Sequence, residues 1–295
     1  MTLQLIIKQI RVYQWVKNLL IFVPLILAHG STEPHALMQC ILGFAAMSML
    51  ASSVYVLNDI ADVEHDRNHP RKRYRPIASG AISLPQAWFL VVTLISACIV
   101  LCINYLPVSF VGWMGVYAVA TTLYSFLLKR IVLVDVMSLS GLYSLRIAAG
   151  GAAAGVAVSP WLLGFSLFLF MSLAFLKRYT ELLDTIERDG HVVSGRGYHV
   201  GDASFVLIAG ASLGFVAVLI FTLYINGADV EKLYANPMLL WLIAPCMVYW
   251  LSHLWLTAHR GGMHDDPIVF AVRDIGSWVV GFVIICIAVA AAWVQ

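Results

Sequence analysis

Residues 58–80 read NDIADVEHDRNHPRKRYRPIASG, a dense block of charge between two long apolar runs. If the chain stays helical after Leu57, Asp59, Asp62 and Asp66 stand at i, i+3 and i+7, and their side chains share one helical face. Three like charges on one face repel one another, and a bound cation removes that cost. The spacing therefore predicts a metal-ion site.

The ion that suits this site best is Mg²⁺, and Mn²⁺ is a second candidate. Mg²⁺ is commonly held by one or two carboxylates and completes its octahedron with water and substrate phosphate oxygens. Basic residues that could hold the remaining phosphate charge follow directly. They are Arg67, Arg71, Lys72, Arg73 and Arg75. The alternative for these cations is a solvated loop that follows the positive-inside rule, which does not explain the aspartate spacing.

Composition predicts an all-α, polytopic membrane protein. Of the 295 residues, 61% are hydrophobic and 12% are charged, whereas a soluble domain carries about 25% charged residues. Hydropathy gives about nine transmembrane helices. They are residues 15–29, 37–57, 86–105, 109–128, 131–150, 160–177, 204–225, 237–257 and 277–294. We expect residues 1–295 to form one transmembrane helical bundle in the bilayer, without a nucleic-acid partner, and leave homo-oligomerisation open.

The basic residues are distributed unequally across this topology. All but two of the 18 Lys and Arg residues fall on the side of the N-terminus, the exceptions being Lys232 and Arg146, which lies within a span. By the positive-inside rule, that side is cytoplasmic. We therefore expect a cytoplasmic N-terminus and an active-site cavity that faces the cytoplasm.

Two polar sites lie within apolar helices. Lys17 and Asn18 are either an interfacial anchor or phosphate ligands. Arg146 either pairs with a neighbouring helix or faces the site cavity, and the small residues after it allow close helix packing.

The segment after the sixth predicted span reads FLKRYTELLDTIERDG. On a helix, Lys177 and Arg178 precede Glu181 by about one turn, which allows a local ion pair or a cation pair held ready for an anion. Residues 190–201 then form a flexible loop with His and Gly that could act as a lid.

After the eighth predicted span, Asp265 and Asp266 precede Pro267. They are most simply a helix cap with acids that complement the helix dipole. A ligand-binding role stays open.

The pattern N-D-x-x-D-x-x-x-D followed by K-R-x-R-P-I-x-x-G resembles the UbiA-type intramembrane prenyltransferase superfamily, over essentially the whole chain. The resemblance implies that Asn58, Asp59, Asp62 and Asp66 form the first of that superfamily's two aspartate motifs, which together hold a prenyl diphosphate through Mg²⁺. In place of the second motif, D-x-x-x-D, this sequence has K-R-Y-x-E-L at residues 177–182.

That replacement is similar to the polyprenyl-phosphate (decaprenyl-phosphate) 5-phosphoribosyltransferase branch. Two further matches are Q-W-x-K-N at Gln14 to Asn18 and D-D-P-I-x-F-A-x-R-D at Asp265 to Asp274, which includes Arg273. The resemblance implies a bacterial inner-membrane enzyme that moves the 5-phosphoribosyl group from 5-phosphoribosyl diphosphate to a polyprenyl phosphate. Diphosphate is released, and the product is a precursor of lipid-linked arabinose used in cell wall biosynthesis.

The same resemblance implies roles for the charged residues. Because the diphosphate belongs to the soluble sugar, one carboxylate–metal centre suffices, and the aspartate triplet stabilises diphosphate departure through Mg²⁺. The ribose C1 passes through an oxocarbenium-like state. Some of Lys17, Lys177, Arg178 and Arg73 position the attacking lipid phosphate.

Two alternatives stay open. One is a UbiA-type aromatic prenyltransferase with a prenyl diphosphate donor and an acceptor such as 4-hydroxybenzoate, which would bind the diphosphate weakly without a second carboxylate cluster. The other is a non-enzymatic transporter or lipid-binding scaffold, although transporters more often place ionisable groups near the bilayer midplane.

Overall fold

A computed structural model describes residues 2–28, 33–68, 72–188, 190–193, 195–227, 230–263 and 266–293. Within these ranges the chain is nearly all helical, and the β-structure found there is one isolated antiparallel bridge between Val192 and His199. The predicted all-α fold class is therefore confirmed.

Thirteen α-helices and five 3₁₀ helices lie in the described ranges. The α-helices are α1 (Leu3–Gln9), α2 (Val23–Leu27), α3 (Pro34–Ala61), α4 (Val63–Arg67), α5 (Leu84–Tyr105), α6 (Val108–Phe126), α7 (Val134–Ala154), α8 (Pro160–Ile186), α9 (Ala203–Ile225), α10 (Val230–Leu233), α11 (Ile243–His259), α12 (Pro267–Arg273) and α13 (Ile275–Trp293). The 3₁₀ helices are Val12–Phe22, Lys72–Tyr74, Leu128–Arg130, Val200–Asp202 and Pro237–Leu242.

Seven helical segments in the described part of the chain are long and apolar enough to cross a membrane. The pair Leu3–Gln9 and Val12–Leu27, bent by 57°, makes an eighth if it counts as one span. Helix α7 occupies the fifth predicted span but is not among these segments. It carries Asp135, Arg146 and several Ser and Gly residues, which lower its hydropathy. The described residues thus contain seven or eight segments that could span a membrane, where hydropathy predicted about nine.

The chain divides into two compact units. Unit 1 comprises Met1–Ser125 and Leu145–Ala157, and unit 2 comprises Phe126–Ser144 and Val158–Gln295. The assignment of residues 1–295 to a single domain stays a prediction.

In unit 1, the long helix α3 packs against α5 and against the 3₁₀ helix Val12–Phe22. Ile77 and Ile82, which follow the basic stretch, are buried in one apolar cluster with Val56 and Leu90. Each such side chain contributes about 1.5–3 kcal/mol when fully buried. The cluster therefore fastens the charged stretch 58–80 to the ends of α3 and α5.

The sequence predicts the start of α5, because Ser83 followed three residues later by Gln86 is the pattern of a capping box. Ser83 and Gln86 form a capping box, and the Ser83 backbone N–H donates to Gln86 Oε1 at 3.1 Å. This box satisfies amide groups that the first helical turn leaves without partners.

In unit 2, α8 packs along α9, and α11 packs against α9 and α13. Trp255 of α11 donates its indole N–H to Ser172 Oγ of α8 at 3.2 Å. These contacts hold the carboxyl-terminal part of α8, which carries Lys177 and Arg178.

The small residues after Arg146 pack closely, as predicted. A Cβ atom placed on Gly150 would lie 2.2 Å from the carbonyl oxygen of Ile21 in the same unit. Because the neighbour is backbone rather than a flexible side chain, no larger residue fits at this position without a shift of the helix.

We expect Gly150→Ala to destabilise the protein by about 1–3 kcal/mol through overpacking. Gly141→Ala is the matched control in the same helix, since nothing lies within 4 Å of its added Cβ. It should raise stability by up to about 1 kcal/mol through helix propensity. Thermal unfolding of the two variants in one detergent compares them, and equal midpoints would contradict the close approach.

Candidate functional site

The aspartate stretch is helical on both sides of a break. Helix α3 ends at Ala61 and α4 begins at Val63, with Asp62 between them at φ −95° and ψ 8°. The unbroken helix predicted through the aspartates is therefore wrong at this residue. Because proline is disfavoured inside a helix, the sequence predicts that the aspartate-bearing helix ends at Pro70. Helix α4 ends at Arg67, and Pro70 lies outside the described residues.

Two of the three aspartates nevertheless converge. Asp59 is buried and accepts hydrogen bonds from Arg11 Nη2 at 2.6 Å, Gln9 Nε2 at 2.9 Å and Arg75 Nη1 at 3.1 Å. Asp66 is also buried and accepts from the same Arg75 Nη1 at 2.6 Å. Its second oxygen, Oδ1, has no hydrogen-bond partner among the described residues. The shared guanidinium nitrogen brings these two carboxylates to one point.

Arg11 reaches Asp59 from a strained backbone position. It has a left-handed conformation, with φ 54°, between α1 and the 3₁₀ helix Val12–Phe22. A non-glycine residue held there costs about 1–3 kcal/mol and is often found at functional sites. Its guanidinium also lies over the Tyr55 ring, 5.1 Å from the centroid. The bend between the first two helices therefore directs a cation at the aspartate cluster.

Other basic residues of the stretch have different partners. Arg67 pairs with the exposed Glu64 at 2.8 Å. Arg73 is exposed and lies over the Tyr74 ring at 4.8 Å from its centroid. Lys72 begins a 3₁₀ helix and is partly exposed. Arg71 lies outside the described residues.

A second polar cluster in unit 1 contains three of the predicted site residues. Arg146 is buried and donates from Nε to Asn18 Oδ1 at 2.9 Å and from Nη2 to Tyr117 Oη at 2.7 Å. Asn18 donates in turn to Ser48 Oγ at 3.0 Å. Arg146 therefore pairs with neighbouring helices, one of its two alternatives. Lys17 and Asn18 are both buried, which does not fit an interfacial anchor with its polar end in water.

Asn58 ties α3 to α6. Its Nδ2 donates to Ser125 Oγ at 3.0 Å. The residue directly before the first aspartate is thus held by a side-chain contact within unit 1.

Unit 2 contains a closed ring of four charged side chains. Arg178 Nε lies 3.2 Å from Asp135 Oδ2, and its Nη1 pairs with Glu181 Oε2. Arg196 completes the ring, with Nε 3.2 Å from Glu181 Oε2 and Nη1 3.5 Å from Asp135 Oδ2. We call Asp135, Arg178, Glu181 and Arg196 the charge ring. The predicted pair between positions 178 and 181 is confirmed, and it belongs to this larger network.

The buried arginine of the ring is incompletely hydrogen-bonded. Arg178 Nη2 has no partner among the described residues, and the contact of Nε with Asp135 is close enough for an ion pair but not aligned as a hydrogen bond. A buried donor without an acceptor is costly, because folding removes it from water.

Tyr198 fastens the loop after α8 to the charge ring. Its hydroxyl donates to Asp135 Oδ1 at 2.7 Å and accepts from the Leu133 N–H at 3.0 Å. Burial raises the pKa of Tyr198 above its usual value, and the adjacent Asp135 carboxylate raises it further, so the phenol stays a donor. The Val193 N–H donates to the Tyr198 carbonyl at 2.9 Å. The described residues of this predicted lid therefore form an anchored turn.

Lys177 has a different partner from Arg178. Its Nζ lies 3.0 Å from Asp266 Oδ2. Asp266 Oδ1 accepts from the Ile268 N–H at 3.2 Å, so the predicted cap of α12 is confirmed. The ion pair borders a largely apolar pocket lined in part by Tyr143. Asp265 lies outside the described residues, and Arg273 is exposed in the last turn of α12.

Residues 19–192 match the sequence profile of the UbiA prenyltransferase family. The chain belongs to this family. It is therefore an integral membrane enzyme of the UbiA prenyltransferase family, with several helices apolar enough to cross a bilayer.

Relatives of this chain carry different names. "Uncharacterized protein y4nM" of Sinorhizobium fredii is 38% identical over 94% of this chain and 54% of its own length. "Nodulation protein NoeC" of Azorhizobium caulinodans is 34% identical over 91% of this chain and 87% of its own length. "Decaprenyl-phosphate phosphoribosyltransferase" of Corynebacterium glutamicum is 35% identical over 60% of this chain and 54% of its own length. The chain thus spans about half the length of the first and third of these relatives.

Solved structures confirm the UbiA fold. A UbiA homologue from Archaeoglobus fulgidus bound to GPP and Mg²⁺ superposes with a TM-score of 0.71 and 14% identity, covering 98% of this chain and 100% of that chain. A UbiA homologue from the same organism bound to Cd²⁺ has a TM-score of 0.68 and 15% identity, covering 96% of this chain and 99% of that chain. At this identity the likeness concerns the fold alone.

The aspartate cluster of this UbiA-family chain fits a divalent cation. In the described ranges, no three His, Cys, Asp or Glu side chains are grouped to hold a metal ion. Asp59 and Asp66, however, share Arg75, and Asp66 Oδ1 is a buried acceptor without a partner among the residues described. Mg²⁺ is commonly held by one or two protein carboxylates. Two carboxylates with one open oxygen are such a donor set.

Several residues of the aspartate cluster and of the charge ring were not predicted from the sequence. An ionisable residue inside a predicted span is a functional candidate by default, so Asp135 within span 131–150 carried a usable signal. Arg11, Arg196 and Tyr198 carried none, since their contacts join residues that are distant in sequence.

Proposed function

We propose that this UbiA-family enzyme transfers the 5-phosphoribosyl group from 5-phosphoribosyl diphosphate to a polyprenyl phosphate and releases diphosphate. One observation carries the proposal. The aspartate cluster in unit 1 and the charge ring in unit 2 leave opposite kinds of buried polar atom without a hydrogen-bond partner among the described residues. In unit 1 it is an acceptor, Asp66 Oδ1, and in unit 2 it is a donor, Arg178 Nη2. An open acceptor suits a cation and an open donor suits an anion. A prenyl diphosphate donor held by two aspartate motifs would instead need open acceptors in both clusters.

The diphosphate group is assigned to the unit 1 cluster. Asp59, Asp62 and Asp66 would hold Mg²⁺, which when bound neutralises diphosphate charge as the leaving group departs. Arg11 and Arg75 orient the carboxylates of Asp59 and Asp66 through the contacts at 2.6–3.1 Å. Oriented carboxylates need little rearrangement when the ligand binds, which favours electrostatic catalysis.

We assign the phosphate monoester groups of the two substrates to basic side chains. Both proposed substrates carry one, the 5-phosphate of the ribose and the phosphate of the lipid. Lys177 and Arg178 are the unit 2 candidates, and Lys177 would exchange its Asp266 partner for phosphate. A phosphate monoester is largely ionised near neutral pH, with a second pKa of about 6. The lipid phosphate can therefore attack without a dedicated general base.

The bonding changes balance without another reactant. The bond from ribose C1 to the diphosphate oxygen breaks, and the leaving diphosphate keeps the electron pair. A bond forms from C1 to an oxygen of the lipid phosphate, and C1 is oxocarbenium-like between the two events.

Relatives support the proposed substrates, and topology supports the proposed membrane orientation. The name of the Corynebacterium glutamicum relative supports a polyprenyl phosphate acceptor and a phosphoribosyl donor. The positive-inside rule supports a cytoplasmic N-terminus. The bacterial organisms of the relatives support a bacterial inner membrane. Supply of a precursor for lipid-linked arabinose is the role that we propose for the product. Other candidate substrate ligands stay predictions. They are Lys17, Asn18, Asn58, Arg67, Lys72, Arg73, Arg146, Asp266 and Arg273, with Asp265.

Diphosphate release by the purified protein in detergent tests this function. With Mg²⁺ present, we expect release only when 5-phosphoribosyl diphosphate and a polyprenyl phosphate are supplied together. Because no sealed membrane is present, a transporter would release none. Release from a prenyl diphosphate with 4-hydroxybenzoate, but not from the first pair, would favour the aromatic prenyltransferase instead.

A further inference from the structure

We propose that the charge ring is an exchange site for a phosphate monoester dianion, which displaces the Glu181 carboxylate. Arg178 and Arg196 are the ligands of this phosphate, and Asp135 and Tyr198 are positioning residues. The site rests on the proposed function, because the ribose 5-phosphate group and the lipid phosphate are both phosphate monoesters.

The place of the phosphate is marked by one oxygen of Glu181. Arg178 Nη1 and Arg196 Nε both contact Glu181 Oε2, the latter at 3.2 Å. Two guanidinium groups that converge on one carboxylate oxygen can equally bind phosphate oxygens, since arginine matches carboxylate and phosphate geometry alike. A dianion brings more charge and more acceptor oxygens than the carboxylate that it replaces.

The two acids of the ring differ in how easily they can leave. Asp135 is 0% exposed and Tyr198, which donates to it, is 1% exposed. Glu181 is 31% exposed and extends from a helix on a flexible side chain. The inner carboxylate therefore holds both arginines in place while the outer one moves into water.

One hydrogen-bond donor of the ring is available to an anion. Arg178 Nη2 is buried and has no acceptor in the part of the chain that the structure describes. A phosphate beside Arg178 would supply one, whereas Glu181 already uses its Oε2 for both arginines. The positive and negative charges of the ring thus balance, but one hydrogen-bond donor of Arg178 lacks an acceptor.

An open pocket borders the charge ring at Arg196. Arg196 lines this pocket together with Arg130 and the turn of Gly195 and Gly197. Arg130 is exposed, so it adds positive charge at the entrance. The neutral ring alone would attract an anion weakly, and this added charge favours its approach.

Direct binding measurements on Glu181→Gln test the exchange. The two probes are ribose 5-phosphate and a short-chain polyprenyl phosphate, each titrated by calorimetry into the 295-residue protein in detergent. Removing the competing carboxylate should lower the Kd of the monoester that occupies the ring about tenfold, and Arg196→Gln should raise it at least about tenfold. The probe that responds identifies whether the sugar or the lipid supplies the phosphate.

Asp184→Asn and Arg188→Gln are the matched controls. These residues form an exposed ion pair at 3.0 Å close in sequence to Glu181. Both variants should leave both Kd values within about twofold.

Unchanged or weaker binding of both monoesters by Glu181→Gln would overturn the exchange site. A gain of affinity cannot come from misfolding, so that variant stays informative even if Arg196→Gln folds poorly. Tighter binding without any phosphoribosylated lipid would refute the proposed function alone. Product formation without tighter binding would refute the exchange site alone.

Discussion

Asp66→Asn should lower the rate of lipid product formation at least about 100-fold in folded protein, the scale seen when one electrostatic contact at a developing charge is lost. Asparagine keeps the shape of the side chain but removes its charge, and its single oxygen can either accept from Arg75, as Asp66 Oδ2 does at 2.6 Å, or occupy the open Oδ1 position that fits a cation, not both. Asp62→Asn should also lower the rate of lipid product formation. Single-turnover rates at increasing Mg²⁺ measure the effect, and the variants should need more Mg²⁺ for their residual activity.

The matched control is Glu64→Gln in the same stretch. Glu64 is 80% exposed and its partner is Arg67 rather than Arg75. Its rate should stay within about twofold of wild type, because exposed ion pairs contribute little. Near wild-type turnover of Asp62→Asn and Asp66→Asn, with unchanged Mg²⁺ dependence, would show that these carboxylates hold no metal in the reaction.

Asp135→Ala should destabilise the protein by about 3–5 kcal/mol, the cost of breaking a buried ion pair from one side. The substitution leaves the buried Arg178 without its inner counter-charge and removes the acceptor of Tyr198. Denaturant unfolding in mild detergent, followed by tryptophan fluorescence, measures the loss.

Asp184→Ala controls for the removal of an acid from another helix of unit 2, since Asp184 lies near the end of α8. Its ion pair with Arg188 is exposed on both sides, and its loss should cost no more than about 1 kcal/mol. If the two variants unfold at the same denaturant concentration, Asp135 does not hold the charge ring together.

Local patterns predicted most of the fold. Apolar runs of bilayer length gave helices at nearly the expected places, and the aspartate spacing marked a cluster that the structure partly assembles. The break at Asp62 was not predicted, because helix interruption there depends on how the charged stretch packs against α3. The predicted span 131–150 is a helix, but its polar residues make it less apolar than the helices that could cross a membrane.

The partners of the charged residues were less predictable. Arg178 and Glu181 are one turn apart, so their pairing followed from helix geometry. Arg11 contacts Asp59 across 48 positions, and Tyr198 contacts Asp135 across 63. Contacts at such separations depend on tertiary packing, which one sequence does not reveal through periodicity.

The most direct test of the central claim is mass spectrometry of the lipid fraction after incubation of the purified protein with Mg²⁺. One reaction contains a polyprenyl phosphate and 5-phosphoribosyl diphosphate, and the other contains a prenyl diphosphate and 4-hydroxybenzoate. We predict a phosphoribosylated polyprenyl phosphate from the first and no product from the second. A prenylated aromatic acid from the second, with none from the first, would contradict the claim that the diphosphate is carried by the sugar.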